Sequence, residues 1–130
     1  MATHLAQTTI ATAPATVWAT VGDFGGLASW MPGIDSCSTE GDERVVGTMG
    51  MEIRERLVRR DDATRTLAYS ITASPMPLEH HEVEIVVHDD GDGSRVTWEV
   101  TVVPDELAEV FGNIYQSSLD ALRAHCETGG

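Results

Sequence analysis

The sequence predicts an α+β domain in which one antiparallel sheet wraps around a long C-terminal helix, leaving a closed-off, mostly apolar pocket between them. Three observations carry this. The elements run strand, two short helical segments, several strands, then one long helix, an order unlike the strand–helix alternation of a parallel sheet. Four of the strands share one apolar face. The last segment is amphipathic with three- and four-residue steps over about twenty residues. A chain of 130 residues is expected to form a single domain, 1–130.

The first strand is expected at Thr3 to Ala11. Pro14 then stands where a helix tolerates proline, at a first position that needs no N–H. Val17, Trp18 and Val21 continue at helical spacing. Gly22, Gly25 and Gly26 are read as breaks around Phe24. Leu27 to Met31 is read as a second short helix, stopped by Pro32 and Gly33. Gly41-Asp42, Asp61-Asp62 and Asp89 to Gly93 mark turns between strands, and the two prolines in Ser74 to Pro77 suit a loop. Asp105 is the expected cap of the last helix. That helix turns Leu107, Val110, Phe111, Ile114, Tyr115, Ser118, Leu119, Leu122 and Cys126 to one face. Gly112 lies inside it, at a cost of about 1 kcal/mol relative to alanine; it either admits close approach of a strand or a ligand or is a tolerated accident.

Side chains alternate along a strand, so apolar residues reveal its phase. Met51, Ile53, Glu55 and Leu57 point inward from one strand, and Leu67, Tyr69, Ile71 and Ala73 from the next. His81, Val83, Ile85 and Val87 form a third inward set, and Val96, Trp98, Val100 and Val102 a fourth. The opposite phases are charged or small, as in an antiparallel sheet covered on one side. Trp30, Met31, Met51, Ile53, Leu57, Ile71, Val83, Trp98, Phe111 and Tyr115 are therefore the candidate ligand contacts. Met49 and Met76 are adaptable additional lining.

Glu55, Tyr69 and His81 break the inward pattern and are the candidate catalytic residues. A buried carboxylate must be paired, hydrogen-bonded or protonated, and an imidazole beside it would complete an acid/base pair. The alternatives are structural. Glu55 could reach water at a strand end or pair with an arginine, His81 could be a partly exposed structural histidine, and Tyr69 and Trp98 could be core aromatics.

Composition excludes several function classes. Twenty-one acidic against 8 basic residues give a net charge of −13. Such a field opposes nucleic acid and anionic membranes, which are bound through clustered cations. All the basic residues are arginine, so a lysine Schiff base is excluded. Cys37 and Cys126 form no ligand-spaced group, so no metal is expected and both read as small buried hydrophobes. No cofactor is implied. No apolar run reaches the ~20 residues of a membrane span, and the N-terminus lacks a signal-peptide pattern, so the expected location is cytoplasmic.

Ile10 to Trp18 followed by Asp23 to Ile34, then Glu55-Arg56-Leu57 with Asp61-Asp62, Tyr69-Ser70-Ile71, and Asp92 to Trp98, resemble the START-like SRPBCC superfamily. The likeness is closest to its polyketide cyclase/dehydrase and lipid-transport branch. The resemblance implies a helix-grip fold: a seven-stranded antiparallel sheet, two short helices after the first strand, and a long helix closing a cavity. It also implies a hydrophobic or aromatic ligand, polyketide- or lipid-like, that is cyclised or dehydrated by acid/base chemistry or simply carried or sensed. A protein-interaction module is a further alternative, and the chain is expected to act as a monomer or homodimer.

Overall fold

A computed structural model describes residues 1–128. Seven strands form one antiparallel sheet in the order β1-β7-β6-β5-β4-β3-β2. They are β1 (Ala2–Ile10), β2 (Ile34–Glu40), β3 (Glu43–Thr48), β4 (Met51–Asp61), β5 (Thr66–Ala73), β6 (His80–Asp90) and β7 (Gly93–Val103). Helix α1 (Pro14–Val21) and a 3-10 helix (Phe24–Ser29) follow β1, and α2 (Leu107–Glu127) closes the chain. This is the helix-grip arrangement. Among the described residues no helix is long and apolar enough to cross a membrane.

The inward phases are reproduced in burial except at the end of β5, where Ala73, expected inward, is exposed beyond a register shift against β4. Every second residue of β6 and β7 is buried, from His81 through Val87 and from Ser94 through Val102. Leu119 and Leu122 of α2 are fully buried among the core side chains. The helix lies mainly over β1 and β7. That half of the sandwich is packed solid, and the half under β3, β4 and β5 is left open.

Helix α1 begins at Pro14 with Gly22 as its C-cap. Gly26 breaks helical geometry as expected, with φ −95° and ψ 15°, whereas Gly25 does not interrupt the segment. Both lie inside the 3-10 helix, which starts at Phe24 and ends before Trp30. Asp105 is not the cap of α2. Glu106 holds that position without a side-chain bond, and the Asp105 carboxylate pairs with the Met1 amino group at 2.6 Å. Val110 and Ile114 are exposed on the flank of α2 rather than turned into the core. Cys126 is buried, whereas Cys37 is only half-buried.

The turn between β3 and β4 escaped the sequence reading. Thr48 pairs with Met51, so the loop is Met49-Gly50, and both residues have positive φ, 52° and 76°. That is the type I′ geometry whose twist matches a hairpin. It fixes the register of the two strands and sets Arg44 directly opposite Glu55.

Two contacts tie α2 to β1. The Gln116 carboxamide meets the outer edge of β1, accepting from the Gln7 N–H at 3.4 Å and donating to the Gln7 carbonyl at 3.2 Å. Such pairing blunts a strand edge. At Gly112 the approach is close enough that a Cβ would fall within the His4 imidazole. Gly112→Ala is therefore expected to cost about 1–2 kcal/mol through overpacking, despite alanine's better helix propensity. In a His4→Ala background the sign should reverse, to a gain of up to about 1 kcal/mol. Urea unfolding of the four proteins checks this, and a stabilising Gly112→Ala with His4 intact would refute it.

Candidate functional site

A cavity of about 470 Å³ lies between the β3–β5 half of the sheet and α2. Its size follows from the helix position: the side chains of β3, β4 and β5 point inward there without meeting the body of α2. Val46, Met51, Ile53 and Ile71 form its sheet wall, Leu27 and Met31 one side, and Phe111, Ile114 and Tyr115 the helix wall. The cavity is not closed off as expected. Pro32, Gly33, Met49, Asn113 and Ser117 line it and are exposed, so they form a rim.

Along β4 the lining runs Met51, Ile53, Glu55 and stops before Leu57. What ends it is an ion pair. Arg44 Nε donates to Glu55 Oε1 at 2.7 Å, and both side chains are nearly inaccessible, 3% and 10% exposed. Arg44 Nη1 also donates to the Phe24 carbonyl at 2.9 Å, which ties the 3-10 helix to β3. The guanidinium lies over the rings of Phe24 and Tyr69, at 4.1 and 4.8 Å, a cation–π arrangement strengthened by desolvation. A buried charge needs this degree of compensation.

The second polar group is a chain of rings. His81 Nε2 lies 3.1 Å from the Tyr115 hydroxyl, and its Nδ1 accepts from the Ile71 N–H at 3.1 Å. Tyr115 stacks on Trp98 with centroids 4.4 Å apart and planes 10° apart. Burial, then the neighbouring His80 charge, pushes the His81 pKa down to about 4. Burial, then the Glu55 charge, raises the Tyr69 phenol, and burial with the neighbouring Tyr69 raises Tyr115 further. All three side chains are therefore neutral near pH 7.

The whole-chain pattern now has a counterpart among known proteins. The family model described as "Polyketide cyclase / dehydrase and lipid transport" matches residues 1–127. The chain belongs to this family. Among solved structures, members of the same fold include XoxI from Bacillus cereus, 33% identical with a TM-score of 0.90 over 97% of this chain and 96% of that one. An uncharacterized protein from Bacillus thuringiensis is 30% identical with a TM-score of 0.89, covering 95% and 97% of the two chains. Ara h 8.0201, at 21% identity and TM-score 0.78 over 97% of each chain, shares the fold. None of the curated proteins matches the chain.

The placement of the candidate residues in this polyketide cyclase/dehydrase-family chain is uneven. Met31, Met51, Ile53, Ile71, Phe111 and Tyr115 line the cavity with Glu55 and Tyr69, and so do Met49 and Met76. Trp30, Leu57, Val83 and Trp98 are not among the lining residues. Val83 and Trp98 belong to β6 and β7, in the half that packs solid, and Trp30 packs against Trp98 at 6.2 Å. Leu57 lies one alternation past Glu55, beyond the ion pair. His81 is not partly exposed but buried, at 3%, and it too is absent from the lining. The expected Glu55–His81 pairing is not made: Glu55 bonds Arg44, and His81 bonds Tyr115 and Ile71. Arg44 is the residue that sequence reasoning missed. Its signal was present, because a two-residue turn at Met49-Gly50 places it opposite Glu55. Among the described residues no cluster of histidine, cysteine or carboxylate side chains could hold a metal ion.

Proposed function

We propose that the protein binds an uncharged, mostly apolar small molecule, polyketide- or lipid-like in character, in the cavity between the sheet and α2. One observation carries this: a cavity of about 470 Å³ lined chiefly by apolar side chains, with its polar groups limited to Arg44–Glu55, the two tyrosines, Thr48, Ser118 and the rim. Small-molecule sites typically span about 300–1,000 Å³ and have this apolar wall with few polar points. Membership of the family is consistent with it. The net charge of −13 disfavours anionic ligands.

Binding without turnover, as a carrier or sensor, is the leading form of the proposal. Acid/base cyclisation or dehydration would have to run through Glu55, which lines the cavity, with Tyr69 as proton donor. The Glu55 carboxylate is already engaged by Arg44, and His81 stands outside the lining.

The test uses N-phenyl-1-naphthylamine, an uncharged apolar fluorophore. Saturable binding of one molecule per chain is expected. Ile53→Trp with Ile71→Trp, both half-buried positions on the cavity wall, should weaken it at least tenfold, or about 1.4 kcal/mol. Circular dichroism establishes that the variant is folded. No saturable binding to the native chain, or equal binding by the blocked one, would sink the proposal.

A further inference from the structure

His81 is held between two partners that leave it a single tautomer. The Ile71 backbone N–H points at Nδ1 from 3.1 Å, so Nδ1 must be the acceptor and carries no proton. The ring proton of the neutral imidazole is therefore on Nε2, facing the Tyr115 oxygen at 3.1 Å. Nε2–H donates and the phenol oxygen accepts. A hydroxyl has one proton, so the proton of Tyr115 is turned away from His81, to the cavity side where the Tyr69 hydroxyl is its neighbour.

Tyr115 cannot readily swing to change this. Its ring is stacked on Trp98 and packed against Phe111, with centroids 5.8 Å apart. It is 4% exposed yet lines the cavity. The nearby polar surface is also rich in donors. A guanidinium carries five N–H groups, and the bonds Arg44 makes within the protein use Nε and Nη1. The one carboxylate of the inner wall is the partner of that arginine, so the pair is neutral as a whole.

We propose that Tyr115 is the directed hydrogen-bond donor of the cavity and His81 the positioning residue that orients its proton. The site accordingly takes apolar molecules whose buried end carries an uncharged acceptor oxygen, such as a carbonyl. This rests on the ligand-binding reading above and adds the chemistry of the group that is bound. His81 acts through Tyr115 and touches no ligand itself.

The probe is 6-propionyl-2-(dimethylamino)naphthalene, a ketone whose emission moves to longer wavelength when its carbonyl accepts a hydrogen bond. N-phenyl-1-naphthylamine, which has no acceptor oxygen, is measured beside it. In Tyr115→Phe the bound ketone should emit at shorter wavelength than in the native chain. The ratio of ketone to arylamine affinity should fall about five- to tenfold, the worth of one hydrogen bond. His81→Phe removes the donor to Tyr115 and should shift emission the same way. His81→Gln, whose side-chain NH₂ falls near the position of Nε2, should restore it.

An unchanged emission and affinity ratio in Tyr115→Phe, with both probes bound, overturns the directed donor. Equal emission shifts in His81→Gln and His81→Phe overturn the positioning role, since a residue that merely fills space would not distinguish them. Failure of both probes to bind the native chain overturns the ligand-binding reading itself, so the two failures are told apart.

Discussion

Glu55→Leu alone is expected to destabilise the protein by about 3–5 kcal/mol, the usual consequence of leaving a buried charge without its partner. Arg44 is 2% exposed and held by Glu55 at 2.7 Å. Its remaining contacts, the Phe24 carbonyl and the rings of Phe24 and Tyr69, do not supply a counter-charge. The double variant Arg44→Met with Glu55→Leu should recover most of that loss, because an apolar pair of similar volume avoids the desolvation of both ions. Urea unfolding of the native, single and double variants forms a double-mutant cycle that isolates the coupling. A Glu55→Leu cost below about 1 kcal/mol would mean that the guanidinium is already stabilised from the cavity side, and the pair would then not be the wall described here. The comparison also bears on specificity, since the double variant keeps the cavity but loses its charged end.

The sheet was legible because covering one face imposes strict alternation, and a run such as Val96, Trp98, Val100, Val102 has only one phase that buries the aromatic. The C-terminal helix was legible for the corresponding reason at its own period. What alternation cannot convey is where along a buried face the packing is solid and where it is open. Val83 and Ile71 both point inward on neighbouring strands, yet only Ile71 lines the cavity. The difference is made by α2 lying over β1 and β7, a choice written in helix–sheet packing and not in any one strand. The same limit placed Trp98 against the ligand when it is the platform on which Tyr115 stacks.

The polar points show a different limit. Glu55, Tyr69 and His81 stood out because each interrupts an apolar phase, and each is buried in the fold. Their partners were harder to see. Register follows from the turn, and Met49-Gly50 offers a methionine where asparagine or aspartate is the usual signal. Once that turn is placed, Arg44 faces Glu55 by counting alone. The His81–Tyr115 bond spans 34 residues and joins β6 to α2, so it depends on the tertiary packing of the helix and has no short-range trace.

Acid should expose the cost of keeping His81 neutral. Its pKa in the folded chain is about 4 against an ordinary 6.5, with burial as the main cause. Between those values the unfolded chain binds a proton that the native state refuses. Stability from this residue is therefore complete above pH 6.5 and is lost as pH falls toward 4, flattening below that. At 1.36 kcal/mol per unit, the whole window is worth about 3 kcal/mol, and the step from pH 7 to 4.5 about 2 kcal/mol. The groups facing the ring do not offset this: Tyr69, Phe111 and Tyr115 are neutral, and the Ile71 N–H would oppose a protonated Nδ1. The measurement is the difference between native protein and His81→Gln, in which every other ionisable group is common to both. Urea unfolding at pH 7 and pH 4.5 should show the native chain losing about 2 kcal/mol more than the variant. Equal losses would place the acid sensitivity elsewhere and would mean that the imidazole is protonated in the fold, which the Ile71 bond to Nδ1 does not allow.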